Sequence, residues 1–485
     1  MSAIFSDRLI MWGWVIVSFM LLLALPSSYS QIYNIECMIV SIMAFWGMCG
    51  NKLLQYRSLC SFSVIFVFVL IISNYLYGTY FYLNDPEWSI FILNFDATCI
   101  NKGSCMTTIA CTSFCLAQIQ GERIVYNKKS NRSLFPYEAL KIGKVEILVV
   151  GLLILLYIIN TWGSVLASSD DHSGQFRLSF TNYLRVAFIY LYYLIVKDFY
   201  LCRHRANSLR EFFRHCNKQV LFLSIVSVVF YVLTGGRTTP MRIILLYVFL
   251  FHFFIKRISA IQILLMGTIG IVAMFLVGTL REIWGYDELS WTMVSKALNV
   301  SNILYYTRDL VINSRSLYEL ISYADNIGLT LGTTFILDIS AVIPGLQSFI
   351  IRALGISQSQ TNSAFLVTEL YFQGEKATLG LGTNIVGDVY VSFWIVGVFI
   401  MFWGLGRVVR YLENMSYKGN LLHCMFFCIL SADVVFYTRS GFFSPLRNIL
   451  WLWFFYSIEI RSTRKSIRSN IHLYHQNTYR INETL

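Results

Sequence analysis

Apolar residues run in long blocks through most of this chain, with short polar connections between them. The blocks fall at approximately 9–25, 32–50, 59–83, 104–119, 142–166, 183–200, 219–235, 241–255, 258–280, 385–406, 421–438 and 446–460. A helix needs about 17 to 25 mostly apolar residues to cross the hydrocarbon core, because each backbone polar group there must be satisfied within the segment. The pattern therefore predicts an all-α polytopic membrane protein with about 12 transmembrane helices. It divides the chain into nine helices over 1–280, a long polar interruption over 281–384, three helices over 385–460 and a tail over 461–485.

The interruption holds many Tyr, Leu, Ile and Phe residues and a single proline, Pro344, so it can bury surface and is expected to fold. Ile303, Tyr306, Leu310, Leu317, Leu320 and Ala324 recur at helical spacing, and Gly328 offers a stop. Arg308, Arg315 and Glu319 share the opposite face. That face is expected to be solvated, with Arg315 and Glu319 paired four residues apart. Beyond Pro344, Leu346, Phe349, Ile350 and Ala353 predict a second short amphipathic helix, with Arg352 off its stripe, suited to a membrane interface.

Composition agrees with the pattern: of 485 residues 56% are hydrophobic and 13% charged, too little polar surface for a soluble body of this size. The charge fixes an orientation. Short basic loops follow every second segment: Lys52 and Arg57; Arg123, Lys128, Lys129 and Arg132; Arg203, Arg205, Arg210, Arg214 and Lys218; Lys256 and Arg257; Arg407, Arg410 and Lys418. The tail adds Arg461, Arg464, Lys465 and Arg468. Basic loops stay in the cytoplasm, so both termini are expected inside and the long loop outside. The formal charge of +12 then has anionic lipid headgroups as its counterpart, and no nucleic-acid partner is needed. The first segment, with Asp7 and Arg8 before it and no small-residue cleavage site after Pro26, reads as a retained anchor.

Of the eleven cysteines, Cys37, Cys49, Cys60, Cys111, Cys115, Cys424 and Cys428 fall inside apolar segments. There is no C-x-x-C pair, and only Cys99 and Cys105 are placed to meet on the outer side. No metal and no cofactor are expected. No internal repeat is evident between the two halves, which weighs against many transporter folds.

Arginines lie where the charge rule leaves fewest. Arg237 stands in Thr234-Gly235-Gly236-Arg237-Thr238-Thr239-Pro240, at an outer corner between two helices. Two glycines expose backbone amides there, and a guanidinium offers a planar fork of donors that suits phosphate oxygens. The plain alternative is an arginine that snorkels to the headgroups or pairs with a buried acid such as Asp433. Arg242 follows in the next helix, and Arg281 ends another outgoing helix beside Glu282, with Asp287 and Glu288 close behind. Such acids are either bases for chemistry or ion-pair partners. Arg439 and Arg447 bracket Gly441-Phe442-Phe443-Ser444-Pro445 at the outer turn of the last hairpin.

Gly380-Leu381-Gly382-Thr383-Asn384 closes the long loop and leads into a helix with Asp388 about one turn inside. The two glycines are expected to turn the backbone and allow close packing, not to bind a nucleotide. None of the seven histidines falls between Arg281 and Asn384.

A glycine-arginine corner, an arginine that ends a helix, a long outer loop and G-x-G-T-N entering a helix, over roughly residues 219 to 410, resemble the Wzy-type O-antigen polymerases and the related O-antigen ligases. The resemblance implies a membrane glycosyltransferase fold of the GT-C type in the bacterial inner membrane, without nucleotide sugar or obligatory metal. It also implies that Arg237 and Arg281 hold the diphosphate of an undecaprenyl-linked glycan; Arg242, Arg439 and Arg447, by their place in the sequence, are expected in the same basic patch. Glu282, Asp287, Glu288 and Asp388 are the candidate bases. The ligases carry a histidine in the large outer loop, and its absence here favours the polymerase. Membrane lipids, a flippase and a chain-length regulator are the expected partners. A ligase and a polytopic transporter or flippase are the alternatives, the transporter needing polar groups such as Glu146, His252, Asp388, His423 and Asp433 to converge at mid-membrane depth.

Overall fold

The structure is a computed structural model that describes residues 2–56, 58–84, 95–119, 141–166, 184–234, 236, 238–263, 265–268, 270, 311–343, 345–373 and 380–462. Among these residues every regular element is a helix. Five helices are long and apolar enough to cross a membrane, or up to six if the bent pair Leu209–His215 and Lys218–Leu233 forms one span.

The first core gathers α1 (Ser2–Leu23), α2 (Gln31–Tyr56), α3 (Phe62–Asn84) and α4 (Thr98–Ile119) around α4. That helix holds too many Ser and Thr residues, with Asn101, Lys102 and Gln118, to pass as a membrane span on hydropathy, yet it is buried on nearly all sides. Its hydroxyls return to the helix itself: Thr107 Oγ1 donates to Gly103 O (2.9 Å) and Thr112 Oγ1 to Thr108 O (2.9 Å). Small residues with satisfied hydroxyls let neighbouring backbones approach closely. Cys99 and Cys105 both sit on this one helix, and both are free.

The second core holds α5 (Lys144–Leu166), α6 (Val186–Cys202), α7 (Leu209–His215), α8 (Lys218–Leu233) and α9 (Thr238–Leu250). Apolar side chains remain exposed along α5, among them Val145, Leu148 and Ile159, as a lipid-facing surface requires.

From the long loop, α10 (Asn313–Asn326) does not lie on the surface. It packs against α4, and Leu317, Tyr318, Leu320 and Ile321 are fully buried. Glycines on both neighbours make room: a methyl group on Gly103 would meet the Tyr318 ring at 2.6 Å, and one on Gly387 would meet Leu317 Cα at 3.2 Å. The expected solvated face is therefore overturned, because Arg315 and Glu319 are only 6% and 8% exposed. The loop continues through α11 (Ile336–Ser340), the amphipathic α12 (Leu346–Leu354), whose Phe349 is exposed, and α13 (Ser363–Phe372).

The chain then enters α14 (Ile385–Tyr417), which breaks at Trp394 (φ 58°, ψ −156°). Thr330 N–H donates to Val391 O there (2.9 Å), so the loop takes up a carbonyl that the break leaves open. Next, α15 (Leu421–Ala432) contributes to both cores, and α16 (Val434–Tyr437) leads through a turn to α17 (446–462).

Candidate functional site

One end of the second core opens into a cavity of about 1140 Å³. Three helices begin at its wall. Arg185 and Ile189 come from the start of α6, Thr238 and Arg242 from the start of α9, and Arg447, Asn448 and Trp451 from the start of α17. The turn after α16 adds Arg439, Ser440 and Ser444, while α11 and the start of α12 form the opposite wall with Asp338, Ser340, Gln347 and Ser348. A helix start presents backbone N–H groups without intrahelical acceptors and the positive end of the helix dipole, which favours an anion.

Side chains add to that bias. Four arginines face two aspartates in the wall, Asp338 and Asp433, which leaves an excess of two positive charges. Arg242 Nε is ion-paired with Asp433 Oδ1, and Asn448 Nδ2 donates to Asp433 Oδ2 (3.3 Å). Arg447 interacts electrostatically with Arg185 and Arg242 as well as with Asp338 and Asp433. The cavity is thus a cationic pocket whose charge an anionic ligand would balance.

Asp338 reaches the wall from the loop. Its Oδ2 is buried without a hydrogen-bond donor. Burial, then the neighbouring Asp388, pushes its carboxyl up to about 7 against the pull of Arg447. Asp388, from the first turn of α14, is fully buried and is not part of the wall; its Oδ2 accepts from Phe442 N–H (2.8 Å).

Of the residues singled out in the sequence, the fold brings Arg242, Arg439 and Arg447 together around one cavity. Arg237, Arg281, Glu282, Asp287 and Glu288 lie outside the described residues. The loop-closing stretch forms a buried junction. Gly382 takes a left-handed φ of 78°, and Thr383 Oγ1 donates to Ser363 Oγ (2.8 Å). Asn384 Oδ1 caps α14 through Val386 N–H (2.9 Å), while its Nδ2 donates to Asn74 Oδ1 (2.7 Å), which ties the loop's end to α3. Gly380 is exposed beside this junction. Of the acids and histidines named for a transporter, Glu146 contacts Lys197, His252 contacts Tyr417 and Asp433 is at the cavity, while Asp388 and Asp433 both interact with Tyr437.

Sequence reading missed two members of the wall. Arg185 stands at the start of an apolar segment, away from the short basic loops as the other arginines are, so the charge rule that flagged those would have found it. Asp338 sits in the apolar run Phe335-Ile336-Leu337-Asp338-Ile339, where a lone acid is itself a signal.

These features define a chain whose described elements are all helices, several of them apolar and of membrane length, with a cationic cavity at one end of the second core. No family model, curated protein or solved structure matches it.

Proposed function

We propose that the chain is a membrane glycosyltransferase that polymerises undecaprenyl-diphosphate-linked oligosaccharide repeat units into O-antigen chains. The observation that carries this reading is the cavity walled by Arg185, Arg242 and Arg447 at three helix starts and by Arg439 from the turn after α16. A lipid-diphosphate glycan brings about two negative charges at neutral pH, matched to the excess positive charge of the wall. The volume exceeds the roughly 300–1,000 Å³ usual for a small-molecule pocket, which suits a diphosphate with sugars attached. As the glycosidic bond breaks, charge grows on the leaving lipid diphosphate, and guanidinium groups already in place stabilise it without reorganisation.

In this reading the chain crosses the bacterial inner membrane about twelve times in a GT-C-like arrangement, and the cavity faces the periplasm. The growing glycan leaves its carrier for a hydroxyl of a new unit delivered by a flippase, with a chain-length regulator as a further partner. The test is the glycan ladder of a strain that lacks the chain and is complemented with variants. Arg447→Ala and Arg185→Ala are expected to cut polymer by about a hundredfold at normal protein levels, with single repeat units still attached to the lipid core. Lysine at either position is expected to rescue poorly, because an ammonium cannot present the same fork of donors. Long glycan chains in both alanine variants would sink the proposal. Loss of even the single unit would point to a ligase.

A further inference from the structure

A transfer of this kind needs a base for the acceptor hydroxyl, and the acids of the cavity wall differ in what they can offer. Asp433 is tied by Arg242 and Asn448, and a guanidinium partner makes a carboxylate a poor base. Asp388 lies behind the wall with an oxygen committed to Phe442 N–H. Asp338 is on the wall and partly exposed, with its Oδ2 buried against Gly441 and no described side chain tying the carboxyl as Arg242 ties Asp433. Gly441 makes its position available: a methyl group there would collide with Asp338 Oδ2 and would also stand 3.5 Å from Asp388 Oδ2.

We infer that Asp338 is the catalytic base of the glycosyl transfer, an inference that rests on the proposed function. Its carboxylate accepts the proton of the acceptor hydroxyl as that oxygen bonds to the anomeric carbon of the donor. The bond from that carbon to the diphosphate oxygen breaks, and its electron pair leaves on the lipid diphosphate beside Arg447, Arg439 and Arg185. Asp338, now protonated, releases the proton to water before the next cycle.

The charged and titratable groups that face Asp338 are Asp388 of α14, Tyr437 of α16 and Arg447 of α17. Asp388 makes ionisation of Asp338 harder and Arg447 makes it easier. With the carboxyl titrating near pH 7, the base form fills as pH rises, so the rate is expected to climb through about pH 7 and then level.

Two measurements on the purified full chain test the assignment. Polymer is made in detergent extracts of deletion-strain membranes, which supply the native lipid-linked unit, and undecaprenyl diphosphate binding is followed by native mass spectrometry. Asp338→Asn is expected to lower the rate by about a hundredfold or more while it binds undecaprenyl diphosphate as the wild type does. Asp338→Glu, which keeps a carboxylate, is expected to regain measurable polymer with a displaced pH profile. A wild-type rate in Asp338→Asn, or loss of both rate and binding, would overturn the role as base. Were the wild-type chain itself to make no polymer, the proposed function would fall instead, and the base with it.

Discussion

Arg242 and Asp433 show how a single contact both builds and restrains this site. Asp433 is 8% exposed and Arg242 23%, so removing one partner leaves the other charged in a poorly solvated place. Asp433→Ala is expected to destabilise the chain by on the order of 2 to 4 kcal/mol. Asp433→Ala combined with Arg242→Met is expected to recover part of that loss, read as thermal unfolding in detergent. Asp433 is one of the alternatives the sequence offers for Arg237, which lies outside the described residues; the fold pairs Asp433 with Arg242, whose helix start reaches the turn after α15. Glu319 poses the same problem one layer deeper. Burial pushes its carboxyl up to about 7 despite Arg315 on the same helix, so the folded chain binds a proton that the unfolded chain has released. Stability from this group is full below about pH 4.5 and declines as pH rises toward about 7. Glu319→Gln is expected to flatten that slope and raise the melting temperature at pH 8 but not at pH 4. An unchanged slope would mean that Glu319 ionises freely.

At the scale of elements, apolar patterning predicted the loop helices but not which of their faces is buried. α12 forms where its stripe of Leu346, Phe349, Ile350 and Ala353 indicates, between Gly345 and Gly355 in left-handed conformations. The first expected loop helix illustrates what periodicity misses. Its described part, α10, starts at Asn313 and presents polar side chains on one face, but that face meets Tyr77 and Phe95 instead of water, with the Arg315 guanidinium 5.5 Å and 5.8 Å from those rings. Periodicity reports that two faces differ; which one is wet depends on partners distant in sequence. α4 carries the opposite lesson, since its hydroxyls lower its hydropathy while back-bonding hides them. The break of α14 at Trp394 has no sequence mark of the usual kind, as neither Pro nor Gly stands there, and the loop residue that answers it, Thr330, is known only from the fold.

For the whole molecule, two helical cores are joined through α15, and the loop helices α11 and α12 line the basic cavity. The proposed topology has a direct test. All eleven cysteines are buried, so a membrane-impermeant thiol reagent meets little background. Ser357→Cys in the loop is expected to label in intact spheroplasts, and Lys418→Cys after α14 only once the membrane is opened; the reverse pattern would invert the orientation. Long apolar blocks by themselves determined helices, five or up to six of them among the described residues long and apolar enough to cross a membrane, because lipid leaves a backbone no other way to satisfy its polar groups. Arg242, Arg439 and Arg447, set apart from the short basic loops, likewise marked part of the cavity wall, since charge near an apolar segment is costly without a partner. Only the tertiary structure decided that Arg185 joins Arg242, Arg439 and Arg447, that Asp338 faces them, and that Asp388 stays behind the wall. Those choices depend on which helix starts converge and which loop turn closes over them, and such long-range packing leaves no local pattern in the chain.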